Sequence, residues 1–160
     1  MTNVTEVLTP VCERLQMAVH ADDLLWFSQN ENLLPNSEIV TRIVMERSVV
    51  RALITAVIDN GGAITLQPSD SDASDQYFAA SKDLSQIMAE VGACDEEWLK
   101  VVTLGEHGTA ARHATFYLVY GNDGYDVAAD STYKQTELGR IANRAASEEA
   151  DRLEQCFYDL

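Results

Sequence analysis

The chain is 160 residues long, enough to bury one sizeable core and short for two. Its 46% apolar and 23% charged residues exclude wholesale disorder. Charge interrupts every apolar run, which excludes a transmembrane helix. Twenty-six acidic against eleven basic residues leave a formal charge of −15, a field that repels nucleic acid and anionic membranes and favours basic partners.

Taken in chain order, Thr9-Pro10 reads as a helix cap followed by proline at the first helical position, where its missing N–H costs nothing. Val11, Leu15, Val19 and Leu24-Leu25-Trp26-Phe27 then carry one helical stripe to about Gln29. After the polar connector NENLLPNS, Ser37 is the expected cap of a second helix. Its apolar residues recur from Ile39/Val40 to Val57/Ile58, and Asn60-Gly61-Gly62 ends it. Arg42, Glu46 and Arg51 are expected on its solvated face. AITL (63–66) and QYFAA (76–80) read as a hairpin around the polar loop QPSDSDASD. Ser81 is the expected cap of a short helix, KDLSQIMAEV. WLKVVTL (98–104), HATFYLVY (113–120) and YDVAA (125–129) follow as strands. A closing helix is expected over 134–157, burying Leu138, Ile141/Ala142, Ala145, Leu153 and Phe157. The pattern predicts a single α+β domain over 1–160, with a helical part at 9–60, a sheet-containing part at 62–130 and the closing helix. The sheet should have about four to five strands, mostly antiparallel, with helices on one face.

Three kinds of site are worth weighing. In FYLVYGNDGYDVAAD (116–130), Asp123-Gly124 reads as a two-residue turn. It sets Asn122 opposite Tyr125, Tyr120 opposite Val127 and Leu118 opposite Ala129, and turns Asp126 and Asp130 away from the core. The turn explains the glycine and the Asx residues without a ligand. A calcium loop would need alternate carboxylates and a downstream glutamate, which this spacing lacks. The stretch from Asp59 to Glu97 carries Asp59, Asp70, Asp72, Asp75, Asp83, Glu90, Asp95, Glu96 and Glu97, with Lys82 alone against them. Clustered acids usually decorate exposed loops, but on a rigid fold they can also copy DNA phosphates, spaced about 3.4 Å apart along a strand. His20, His107 and His113 are scattered and no nucleophile motif is present, so no catalytic residue, metal or cofactor is expected. Cys12, Cys94 and Cys156 form an odd set without a CxxC pair and read as reduced, mostly buried thiols. With MTNVTEVLTP lacking the features of a secretory signal, they suit a bacterial cytoplasm.

DEEWLKV (95–101) and LVYGNDGYDVAAD (118–130) resemble small acidic proteins of phages and mobile elements that carry a VYGNDG-aromatic-DV hairpin. The resemblance spans roughly Ala56 to Thr132. It departs at the first hairpin, where a short turn would be expected in place of QPSDSDASD. It implies origin rather than a reaction, and no catalytic residue follows from it.

Charge and resemblance together lead to a non-enzymatic protein that binds a host protein with a basic surface, blocking a nucleic-acid-binding site as anti-restriction or anti-CRISPR proteins do. It is not expected to contact nucleic acid or membrane directly. The expected contact residues are Asp70, Asp72, Asp75, Asp95, Glu96, Glu97, Asp126 and Asp130. Two further readings stand beside it: a divalent-metal enzyme using Asp123, Asp126 and Asp130, and an adaptor homodimer pairing through Trp26 and Phe27.

Overall fold

Two short helices take the place of the single helix expected over 9–29. In the computed structural model, which describes residues 3–70, 76–133 and 135–158, α1 spans Val4–Arg14 and α2 spans Ala21–Ser28. The cap is Asn3, whose Oδ1 accepts the N–H groups of Thr5 (2.9 Å) and Glu6 (3.4 Å), so Pro10 lies inside α1 rather than at its start. The chain leaves α1 at Gln16, whose φ of +54° is left-handed backbone that cannot continue a helix. Leu15 and Val19 keep the apolar period on both sides of this break, which hid it from the sequence pattern.

The central helix α3, Ser37–Asp59, is capped one residue earlier than expected: Asn36, not Ser37, is the cap and accepts the Ile39 N–H at 3.2 Å. It ends at Asn60-Gly61 as the glycine pattern predicts. α3 packs against α1, α4, α5 and β1, and this enclosure corrects the expectation of a solvated face. Glu46, Arg47 and Arg51 are all buried; Arg42 alone keeps substantial exposure.

The rest of the chain forms one antiparallel sheet in the order β1-β2-β3-β4: Ala63–Pro68, Glu96–Leu104, Ala110–Val119 and Ala128–Tyr133. Between β1 and β2 lies α4, Leu84–Glu90, capped by Asp83 rather than Ser81. The expected strand QYFAA is not one. Its neighbourhood touches the β1 edge at two points, through Tyr77 N–H to the Leu66 carbonyl and through a bridge between Ser81 and Ile64. The register sets Ile64 opposite Val101, Leu66 opposite Leu99 and Leu99 opposite Phe116, which gathers these residues on the core face. The helix α5, Glu137–Tyr158, closes the core with Leu138, Ala142, Ala146, Leu153 and Cys156. Ile141 and Ala145 are half-buried, and Phe157, expected inside, is 40% exposed.

The fold is therefore α+β, a four-stranded antiparallel sheet packed against helices. One buried cluster joins all five helices to β1, β2 and β3. Each fully buried side chain such as Ile54, Leu66 or Phe116 contributes about 1.5–3 kcal/mol against the entropy of ordering it. Among the described residues, no helix is long and apolar enough to cross a membrane.

Candidate functional site

The acidic residues singled out in the sequence separate into three groups. At the end of the sheet where β1 finishes and β2 starts, the Ser69 N–H donates to the Glu96 carbonyl at 3.1 Å and its hydroxyl to Glu96 Oε2 at 3.3 Å. The Tyr120 N–H donates to the Asp95 carbonyl at 3.0 Å. These bonds bring Asp70, Asp95 and Glu96 to one end of the sheet, all three exposed. Asp130 lies on β4 opposite Tyr117, and Asp126 is exposed in the preceding loop. Asp72 and Asp75 lie outside the described residues.

Glu97 does not belong to this surface, because its side chain is 0% exposed. Strand alternation places it on the core face with Leu99 and Val101, opposite Leu118. Its Oε1 accepts the Tyr120 hydroxyl at 2.6 Å and the Gly92 N–H at 2.9 Å. Burial raises its pKa above the ordinary glutamate value, although the Tyr120 and Gly92 bonds act against the rise. The parity of E-W-L-K-V was the available signal: an acid two residues before Leu99 shares the face of Leu99.

GNDG is not the two-residue turn expected. β3 stops at Val119, and a bulge at Tyr117/Leu118 sets Leu118 opposite Ala128 rather than Ala129. The loop is held by α3 instead. The Gly121 N–H donates to Glu46 Oε2 at 2.8 Å. Gly124, at φ +88°, comes so near α3 that a Cβ there would lie 2.9 Å from Met45 Cβ and 3.1 Å from the Arg42 carbonyl. Asp126 Oδ1 accepts the Asp123 N–H at 3.1 Å, a bond within the loop. Among the described residues, no three His, Cys, Asp or Glu side chains gather closely enough to hold a metal ion.

A buried ionic cluster, which the sequence reading missed, fixes α2 to α3. Arg47 Nε donates to Asp23 Oδ1 at 2.6 Å, and Arg51 Nη2 reaches the same oxygen at 2.6 Å. Arg51 also pairs with both oxygens of Asp22. Arg47 further donates to the Met88 and Val91 carbonyls, tying in the end of α4. Burial raises the Asp23 pKa despite both guanidinium groups. At Asp22 burial also pushes upward, but Arg51 and Arg47 outweigh it and the pKa is lowered. These distant partners explain why α3 carries charge at core positions.

The cysteines and aromatic residues also sort differently from expectation. Cys12 and Cys156 are buried, whereas Cys94 is exposed and its Sγ accepts the Tyr77 hydroxyl at 3.1 Å. Phe27 is fully buried against Trp26, which removes it from any exposed pairing surface. His113 is held by two threonine hydroxyls, Thr103 and Thr136, each at 2.9 Å. Beside the buried cluster, a cavity of about 190 Å³ lies between Trp26, Ile43, Glu46, Arg47, Cys94 and Tyr120.

No protein-family model matches this chain, and no curated protein or solved structure matches it either.

Proposed function

We propose that this chain is a binding protein that acts without catalysis, presenting carboxylates to a basic surface of a host protein. Its setting is that of a phage or mobile-element protein in a bacterial cytoplasm. Its effect is to cover a surface where nucleic acid would otherwise bind. The observation that carries this reading is the meeting of Asp70, Asp95 and Glu96 at one end of the sheet, exposed, while Arg47 and Arg51 are committed to buried pairs. An exposed set of like charges on a rigid strand end steers a cationic partner and repels phosphate.

The test is capture of host proteins from nuclease-treated lysate at low and high salt. Wild type should retain nucleic-acid-binding proteins at low salt and release them at high salt. The combined Asp70→Asn, Asp95→Asn and Glu96→Gln variant should lose them. Unchanged capture by that variant would remove these acids from the contact.

A further inference from the structure

The outer face of the sheet offers a more specific contact than charge alone. Four residues form a row across the strands: Gln67 on β1, which is buried, then Trp98 on β2, Tyr117 on β3 and Asp130 on β4, which reach solvent. Trp98 and Tyr117 alternate with the core-facing Leu99, Phe116 and Leu118, so both rings point outward and keep partial exposure. Their centroids are 4.8 Å apart with the planes 38° from parallel. Both rings are held at their polar ends. Trp98 Nε1 donates to the Ser69 carbonyl at 3.0 Å, and the Tyr117 hydroxyl donates to Glu96 Oε2.

Carboxylates flank this aromatic pair. Asp130 follows Tyr117 in the row, Glu96 shares the face two residues before Trp98, and Asp70 follows the serine that accepts the indole N–H. Among the described residues, Glu96 Oε1 has no hydrogen-bond partner and Asp130 Oδ1 accepts only its neighbouring Ser131 N–H. Lys100, two residues further along β2 on the same face, is drawn to Gln67 Oε1 at 3.0 Å.

We propose that this outer face is a docking surface for arginine side chains of a basic protein segment, with guanidinium groups over the Trp98–Tyr117 pair and bonded to Glu96 and Asp130. The inference rests on the basic-partner reading above and names its chemistry. A guanidinium is planar, stacks on aromatic rings and bonds carboxylates through paired N–H groups, whereas an ammonium offers only a compact, strongly hydrated charge. Rings fixed by hydrogen bonds, beside carboxylate oxygens that have no cation among the described residues, therefore select arginine over lysine. The same acids repel phosphate, so nucleic acid is not the occupant.

The experiment measures fluorescence anisotropy of labelled oligo-arginine and oligo-lysine peptides of equal length against the full chain at physiological ionic strength. Wild type should bind oligo-arginine several-fold more tightly than oligo-lysine. The Glu96→Gln/Asp130→Asn pair should weaken oligo-arginine binding by about tenfold, in the range of close interfacial charge pairs. A control pair with the same change in charge on exposed α5 acids, Glu148→Gln/Asp151→Asn, should leave binding nearly unchanged. Trp98→Ala should cost about three- to fivefold and erase the preference for arginine, while Trp98→Phe keeps most of it. Equal losses in the two double variants would mean diffuse attraction and would overturn the assignment to this face. Equal binding of the two peptides would overturn the guanidinium recognition. If wild type bound neither peptide, the basic-partner reading itself would fall.

Discussion

Acidic residues lead opposite lives in the two halves of this molecule. On the helical side, Asp22 and Asp23 are enclosed with Arg47 and Arg51, and their charge is spent within the fold. At the end of the sheet, Asp70, Asp95 and Glu96 are exposed, and none forms an ion pair among the described residues. The first group is arranged to hold helices together and the second is free to meet another molecule. A net charge read from composition cannot distinguish them, because it counts a neutralised aspartate and a solvated one alike.

Breaking the helical cluster should have the largest effect. Arg47→Ala leaves Asp23, 0% exposed, facing fewer cations and strips two carbonyl contacts from α4. A loss of about 3–5 kcal/mol in denaturant unfolding is expected, the cost of stranding one member of a buried pair. The second effect tests how the sheet side is anchored to α3. Gly124→Ala would place a methyl against Met45 and the Arg42 carbonyl at a positive φ, costing about 1–3 kcal/mol by the same measurement.

The third effect concerns Glu97, an acid from the sheet side that is buried like the helical ones but has no cation beside it among the described residues. Its folded pKa is raised above 4.5, so the folded state binds its proton more tightly than the unfolded chain does. The stability contributed by that proton is fully present below the unfolded value and is lost as pH rises through the folded one. Glu97→Gln keeps an oxygen to accept from Tyr120 and Gly92 and carries no charge. Its melting temperature should match wild type in acid and exceed it at neutral pH. A variant less stable than wild type at neutral pH would show that the ionised carboxylate is required in the core. The smallest effect should come from the exposed acids: Asp70→Asn and Asp95→Asn should leave the melting temperature unmoved, because neither side chain has a partner to lose among the described residues.

Much of the architecture was legible from local pattern. The apolar period of α3 with its glycine stop, the long α5 and the alternation of β2 and β3 all follow from side-chain spacing, which is a local property. What local pattern lacked was the partner. Arg47 and Arg51 look like surface residues until Asp22 and Asp23, more than twenty positions earlier, are brought against them. Gly124 looks like a turn glycine until α3 is seen beneath it. At the candidate site, Asp70, Asp95 and Glu96 were readable as exposed acids. Glu97 looks like one more exposed acid in a run of like charges, and only strand parity with Leu99 turns it inward. The Trp98–Tyr117 pair is invisible to local pattern because it is defined by register, and register is set by two strands at once.

The two edges of the sheet also bear on how copies of the chain behave near one another. An open edge is a row of backbone donors and acceptors that another strand can complete, which is how folded proteins begin to polymerise. On β1, Ser81 and Tyr77 already occupy part of that row. β4 is a short polar strand, AADSTY, with Asp130 exposed upon it. Two such strands brought side by side would bring like charges together and bury little apolar surface. Asp130, proposed above to meet a cationic partner, thus also guards the chain against adding strands of itself.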